Sequence, residues 1–144
     1  ELQAGMPPIN VDGPRLAEAL LYVLRFWSQE LSEGGRVTLK ATLIKNDAPP
    51  EQQGISRSAE RWLRFEIGTA DKSLPEERLS TLFDGFHRQP GHRGLGLGLP
   101  LARALSELHG GSLELEQAAT GDRFVLLVPA RQRKAIGRLR PVKV

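Results

Sequence analysis

Apolar residues at Leu16, Leu20, Val23, Leu24, Trp27 and Leu31 recur every three or four positions, the period of one helix face. Asp12 and Pro14 ahead of them supply the polar cap and early proline of a helix start, so the pattern predicts a helix running toward Gly34-Gly35. RVTLKATLI (36–44) switches to a period of two, with Val37, Leu39, Ala41 and Leu43 on one side, and reads as a strand. KNDAPPEQQGISRSAE (45–60) is polar and broken by prolines, the composition of a long loop. A second strand, WLRFEIGT (62–69), sets Leu63, Phe65, Ile67 and Thr69 on a shared face. Pro75 then opens a short helix with Glu76 and Glu77 in its first turn, where the helix dipole favours acids, closing at LFDGF (82–86). After the glycine stretch Pro100 can serve as an early position of another helix, whose stripe of Leu101, Leu105 and Leu108 stops at Gly110-Gly111. SLELEQ (112–117) and RFVLLVP (123–129) are two final strands joined by a turn at AATGD.

This order predicts an α+β domain of two layers, with three helices on one face of a mixed, mostly antiparallel sheet. We expect the domain to span 12–130, with a lead-in at 1–11 and a basic tail at 131–144. The 144 residues suit one domain with a real core. The absence of cysteine excludes disulfides, thiol catalysis and cysteine-bound metal. The apolar runs are too short to cross a bilayer. The chain begins at Glu1 without an initiator methionine and reads as a piece of a larger protein. Net charge is +3, yet six of the 20 Lys and Arg fall within 131–144, where no acid stands, so the rest of the chain is net acidic. The body has no basic and aromatic face of the kind that reads nucleic acid, and no nucleic-acid partner is expected.

GHRGLGLGLP (91–100) carries the candidate chemistry. Glycine lets a backbone approach phosphate closely, and the N–H groups at a helix start point toward negative charge. Gly94, Gly96 and Gly98 with Leu99 are therefore candidate phosphate-binding residues, and the interleaved leucines are expected to face the core. The spacing is not that of the dinucleotide fingerprint, and no strand immediately precedes it.

With its neighbours this stretch resembles a known family. GLGLGLPLARALSELHGGSLELE (94–116) looks like the second glycine box, helix and following strand of the sensor histidine kinase ATP-binding domain. DGPRLAEALLYVL with EGGRVTL (12–39), LPEERLSTLFDGFHR (74–88) and GDRFVLLVPA (121–130) are similar to the family's first helix and strand, its phenylalanine-box segment and its last strand. The resemblance implies the Bergerat-type α/β sandwich shared with gyrase and the heat-shock chaperone ATPases. It also implies ATP as ligand.

The binding boxes depart from the family's. Phe26 stands where the resemblance implies the Mg²⁺-ligating asparagine, Tyr22 at the preceding turn's asparagine and Gln29 at the helix lysine; Phe26 offers a hard cation no oxygen, so no metal ligand is assigned. Glu30 could reach a metal only if the helix were rotated. The first glycine box reads TADKSLP (69–75), with Thr69 at the adenine-binding aspartate and Asp71 and Ser73 at the two glycines. Asp122 in turn stands where the family has a threonine that shares adenine recognition. Thr69 and Asp122 thus form a candidate exchanged adenine pair, with a chance match in a polar turn as the alternative. His87, Arg88, His92 and Arg93, in the segment that resembles the family's lid, are candidate phosphate contacts or solvated charges; Arg88 and Arg93 can each pair bidentately with phosphate.

The expected function is the ATP-binding catalytic domain of a two-component sensor histidine kinase with impaired nucleotide and Mg²⁺ binding. Its expected partners are the dimerisation and phospho-acceptor domain of the parent kinase and a response regulator, and its expected location is cytoplasmic, with membrane attachment only through the parent. None of the three histidines suits a phospho-acceptor, and no catalytic residue is assigned. The alternative is an interaction module that binds nucleotide weakly or not at all. A third class, a serine kinase of the same superfamily, lacks the His-Gly-Gly block seen here at 109–111.

Overall fold

The computed structural model describes residues 1–45, 61–87, 89 and 91–132. Helix α1 spans Gly13–Glu30, and an Asp12 carboxylate oxygen accepts from the Arg15 N–H at its start. It ends before the predicted glycines, because Leu31 is already extended and the Lys72 ammonium, from a distant loop, donates to the Glu30 carbonyl at 3.1 Å. That stop is set by a tertiary contact, which local periodicity does not report.

The strands are β1 (Ile9–Asn10) before α1, β2 (Thr38–Lys45) and β3 (Arg61–Gly68) after it, and β4 (Ser112–Ala118), β5 (Gly121–Pro129) and β6 (Arg131–Gln132), with two further helices, α2 (Glu76–Leu79) and α3 (Gly98–Leu108), following one another between β3 and β4. The main sheet has the order β2-β3-β5-β4, and every ladder in it is antiparallel. Among the described residues the parallel pairing is a single bridge, Leu2 to Ala41. The lead-in and the start of the tail meet as a second small sheet, β1 against β6.

The registers explain the core. Leu63 pairs with Val128, Phe65 with Leu126 and Ile67 with Phe124, while Leu113 lies opposite Leu126 and Ala41 opposite Phe65. All of these side chains point to one face, as period two requires. Ala19, Val23 and Trp27 of α1 and Leu99 and Ala102 of α3 close over that face. The buried Trp27 indole also donates to the Ile67 carbonyl at 2.9 Å, fixing the depth of α1 on the sheet. At the end of α3, His109 Nδ1 lies 2.7 Å from the Leu105 carbonyl, so this histidine closes its own helix. A Cβ on Gly111 would meet the Leu127 carbonyl oxygen at 1.8 Å, so the chain can enter β4 only with glycine there. The opposite sheet face holds Trp62, Val125 and Leu127 beside a cross-strand charge network of Arg64, Glu66, Glu116 and Arg123.

Candidate phosphate and nucleotide site

Tyr22, Phe26 and Gln29 lie on one face of α1, spaced four and three apart, with Arg25 beside them. That face, the glycine stretch and α2 enclose a cavity of about 320 Å³. Gly94, Gly96, Gly98 and Leu99 all line it, as do Arg93, His87 and His92. Arg88 lies outside the described residues. Gly94 and Gly96 adopt φ of 92° and 70°, the left-handed region that favours glycine. A Cβ on Gly96 would also stand 2.8 Å from the His87 carbonyl oxygen, so this position is fixed by conformation and by space together. Leu97 at the N-cap of α3 makes no side-chain bond to the first turn, which leaves backbone N–H groups directed at the cavity end of the helix.

The expectation that the leucines face the core is corrected for Leu95, which is 69% exposed. Leu97 is half-buried and Leu99 buried. Positive φ on both sides of Leu95 turns the loop, so strand-like alternation does not operate there.

Phe26 packs edge-on against Trp27 and Phe124, with ring centroids 5.3 Å away in both cases, and the Arg78 guanidinium lies over its ring at 5.8 Å. Glu30, with a side chain 1% exposed, accepts from Arg78 at 2.6 Å and pairs with Lys72 at 3.0 Å; the His92 ring nitrogen stands 3.2 Å away. Burial pushes this carboxyl up, but the hydrogen bonds and charges of Arg78 and Lys72 outweigh it and hold its pKa below the ordinary value. Glu30 thus joins α1, the 69–75 loop, α2 and the segment before the glycines. Neither this hub nor the cavity positions of Arg25 and Arg78 is among the sequence-derived candidates. Arg25 had a signal, its proximity to Tyr22 and Gln29 on the helix, whereas Arg78 comes from a separate element.

Thr69 and Asp122 are brought together: the Thr69 N–H donates to the Asp122 carbonyl at 3.0 Å. They stand apart from the glycine loop and line a second cavity of about 230 Å³ at the ends of β3 and β5. Asp122 is 1% exposed, and its Oδ2 accepts from the Leu74 N–H at 2.6 Å and the Gln117 amide at 3.2 Å. Its Oδ1 is buried without a hydrogen-bond partner. The Thr69 hydroxyl accepts from the Asp71 N–H, and Asp71 Oδ2 from the Arg36 N–H. The loop that carries Asp71 and Ser73 at the glycine positions is therefore held by side chains.

Magnesium needs oxygen ligands in near-octahedral geometry. The described cavity lining holds three arginines and two histidines and no carboxylate, and Glu30 beside it is committed to cations. These residues do not fit a resident Mg²⁺.

The family described as histidine kinase-, DNA gyrase B- and HSP90-like ATPases matches residues 15–132. The probable sensor kinase SilS of Salmonella typhimurium is 36% identical over 88 residues, 56% of this chain and 18% of that protein. The sensor protein DivL of Caulobacter vibrioides is 33% identical over 126 residues, 86% of this chain and 14% of that protein. The chain thus spans less than a fifth of either relative. Full-length ShkA, solved in complex with AMPPNP, shares the fold with a TM-score of 0.65 at 21% identity, over 93% of this chain and 25% of that one. The chain belongs to the histidine kinase-, DNA gyrase B- and HSP90-like ATPase family, and the relatives it matches are sensor kinases and sensor proteins.

Proposed function

We propose that this chain binds ATP weakly and forms the phosphoryl-donor side of histidine autophosphorylation in a longer sensor kinase. The observation that carries the reading is the basic cavity at the start of α3, where Gly94, Gly96, Gly98 and Leu99 meet Arg93. Backbone N–H groups and arginine together suit a polyphosphate. A phospho-acceptor domain would supply the histidine and a response regulator would take the phosphoryl group, both on the cytoplasmic side; the catalytic unit is 12–130, flanked by a lead-in and a basic tail. Arg88 is proposed as a further phosphate contact. The adenine is proposed to meet Thr69 and Asp122 with their family roles exchanged, in the second cavity that they line; Asp122 is 1% exposed, so its unpartnered Oδ1 meets an exocyclic amine only when the 69–75 loop opens from it. ShkA, which binds AMPPNP, supports a nucleotide as ligand.

Calorimetric titration with ATP, of the parent and of Asp122→Ala, tests the reading. Binding in the parent that weakens about tenfold or more in the variant supports the adenine pair. Unchanged binding removes that pair and leaves the phosphate site standing. A second reading, an interaction module without nucleotide, is favoured by Phe26 packing under the cavity and by the loss of both first-box glycines. Absence of binding by any nucleotide would select it.

A further inference from the structure

We propose that the glycine-loop cavity takes its nucleotide as the metal-free polyphosphate, with Arg25 and Arg93 in place of a divalent ion, so that Mg²⁺ opposes binding. The inference rests on the nucleotide-binding reading above and concerns the form in which the ligand enters. Arg25 and Arg93 are exposed side chains lining the cavity, and among the described residues neither pairs with an acid. Arg78, by contrast, spends both terminal nitrogens on Glu30 and lies over the Phe26 ring, so the free guanidinium groups of the described cavity lining are those of Arg25 and Arg93. On the helix face that lines the cavity, Phe26 has its ring fixed by Trp27 and Phe124, the Gln29 Oε1 already accepts from the Arg93 N–H at 3.2 Å, and the Tyr22 hydroxyl donates to Glu18. Rotating Glu30 into the cavity would break its pairs with Lys72 and Arg78 and leave those cations unpaired.

Electrostatics gives the sign. A divalent ion on the phosphates cancels part of the charge that the arginines would bind, while its remaining coordination positions find no carboxylate in the described lining. Guanidinium pairs with phosphate oxygens directly and bidentately, and each charge-assisted bond lost to a competing ion weakens the complex.

The test is calorimetric titration of the chain with ATP in excess EDTA and in excess Mg²⁺ at matched ionic strength, repeated with the double variant Arg25→Gln, Arg93→Gln. Both side chains are exposed, so the variant keeps the fold. The expected result is a Kd about tenfold or more weaker in Mg²⁺ than in EDTA for the parent. In the variant, metal-free binding is expected to weaken by about tenfold and the difference between the two media to shrink. Binding that requires Mg²⁺, or equal affinity in both media, overturns the inference while the nucleotide-binding reading stands. A double variant that binds metal-free ATP like the parent also overturns it. Failure of the parent to bind in either medium removes the nucleotide-binding reading itself.

Discussion

Glu30 carries its charge at the C-terminal end of α1, where the helix dipole disfavours an acid, and its side chain is buried. It is stable there because Lys72 and Arg78 meet it from two other elements, and Lys72 also satisfies the last carbonyl of the helix. Removing one member of such a cluster leaves the others desolvated without a counter-charge. Glu30→Gln is expected to cost about 3 kcal/mol of folding stability, measured by urea denaturation at neutral pH. Because the folded-state pKa is lowered, the contribution is fully present above the ordinary carboxyl pKa and is lost as pH falls through the folded value. A loss of stability much below 1 kcal/mol would show that the cluster rearranges freely around the missing charge.

At the scale of elements, the glycine loop and α3 behave as one unit. Gly96 combines a φ of 70° with direct approach to the His87 backbone, whereas Gly98 is helical and a Cβ there would come no closer than 3.6 Å to Tyr22. Gly96→Ala is therefore expected to lower stability by about 1–3 kcal/mol and to weaken ATP binding, while Gly98→Ala keeps the fold. Thermal melts and nucleotide titrations of the two variants check this contrast; equal melting temperatures would refute it. The glycine spacing was legible in the sequence, yet it could not rank these positions, because the clash at Gly96 comes from another segment. The same limit applies to Leu95: alternation suggested a buried leucine, and the left-handed turns beside it expose the side chain.

For the whole molecule, acid sensitivity follows from two carboxyl clusters on opposite faces of the sheet. Glu30 lies on the helix side, and Glu116 on the outer side is held below the ordinary carboxyl pKa, against the effect of burial, by hydrogen bonds and charge from Arg123 and Arg64. Both stabilise above their unfolded pKa and lose that contribution as pH falls through the folded values. Urea midpoints are thus expected to drop steeply with acidification below about pH 4.5, and the Glu30→Gln, Glu116→Gln double variant to show a shallower dependence. An unchanged slope would mean that other carboxyls dominate.

The helix start at Asp12, the period-two strands and the glycine-to-helix junction were legible in the sequence because caps, alternation and turn residues act over a few neighbouring positions, and the family was legible through the resemblance of whole ordered blocks. Tertiary structure alone decided that Lys72, Arg78 and His92 converge on Glu30, that Arg25 and Arg93 face one cavity, and that Asp122 holds the loop at Leu74 with one oxygen while the other stays unpartnered. Each joins residues far apart in the chain, and whether a charge is paired, buried or offered to a ligand depends on what folding brings beside it.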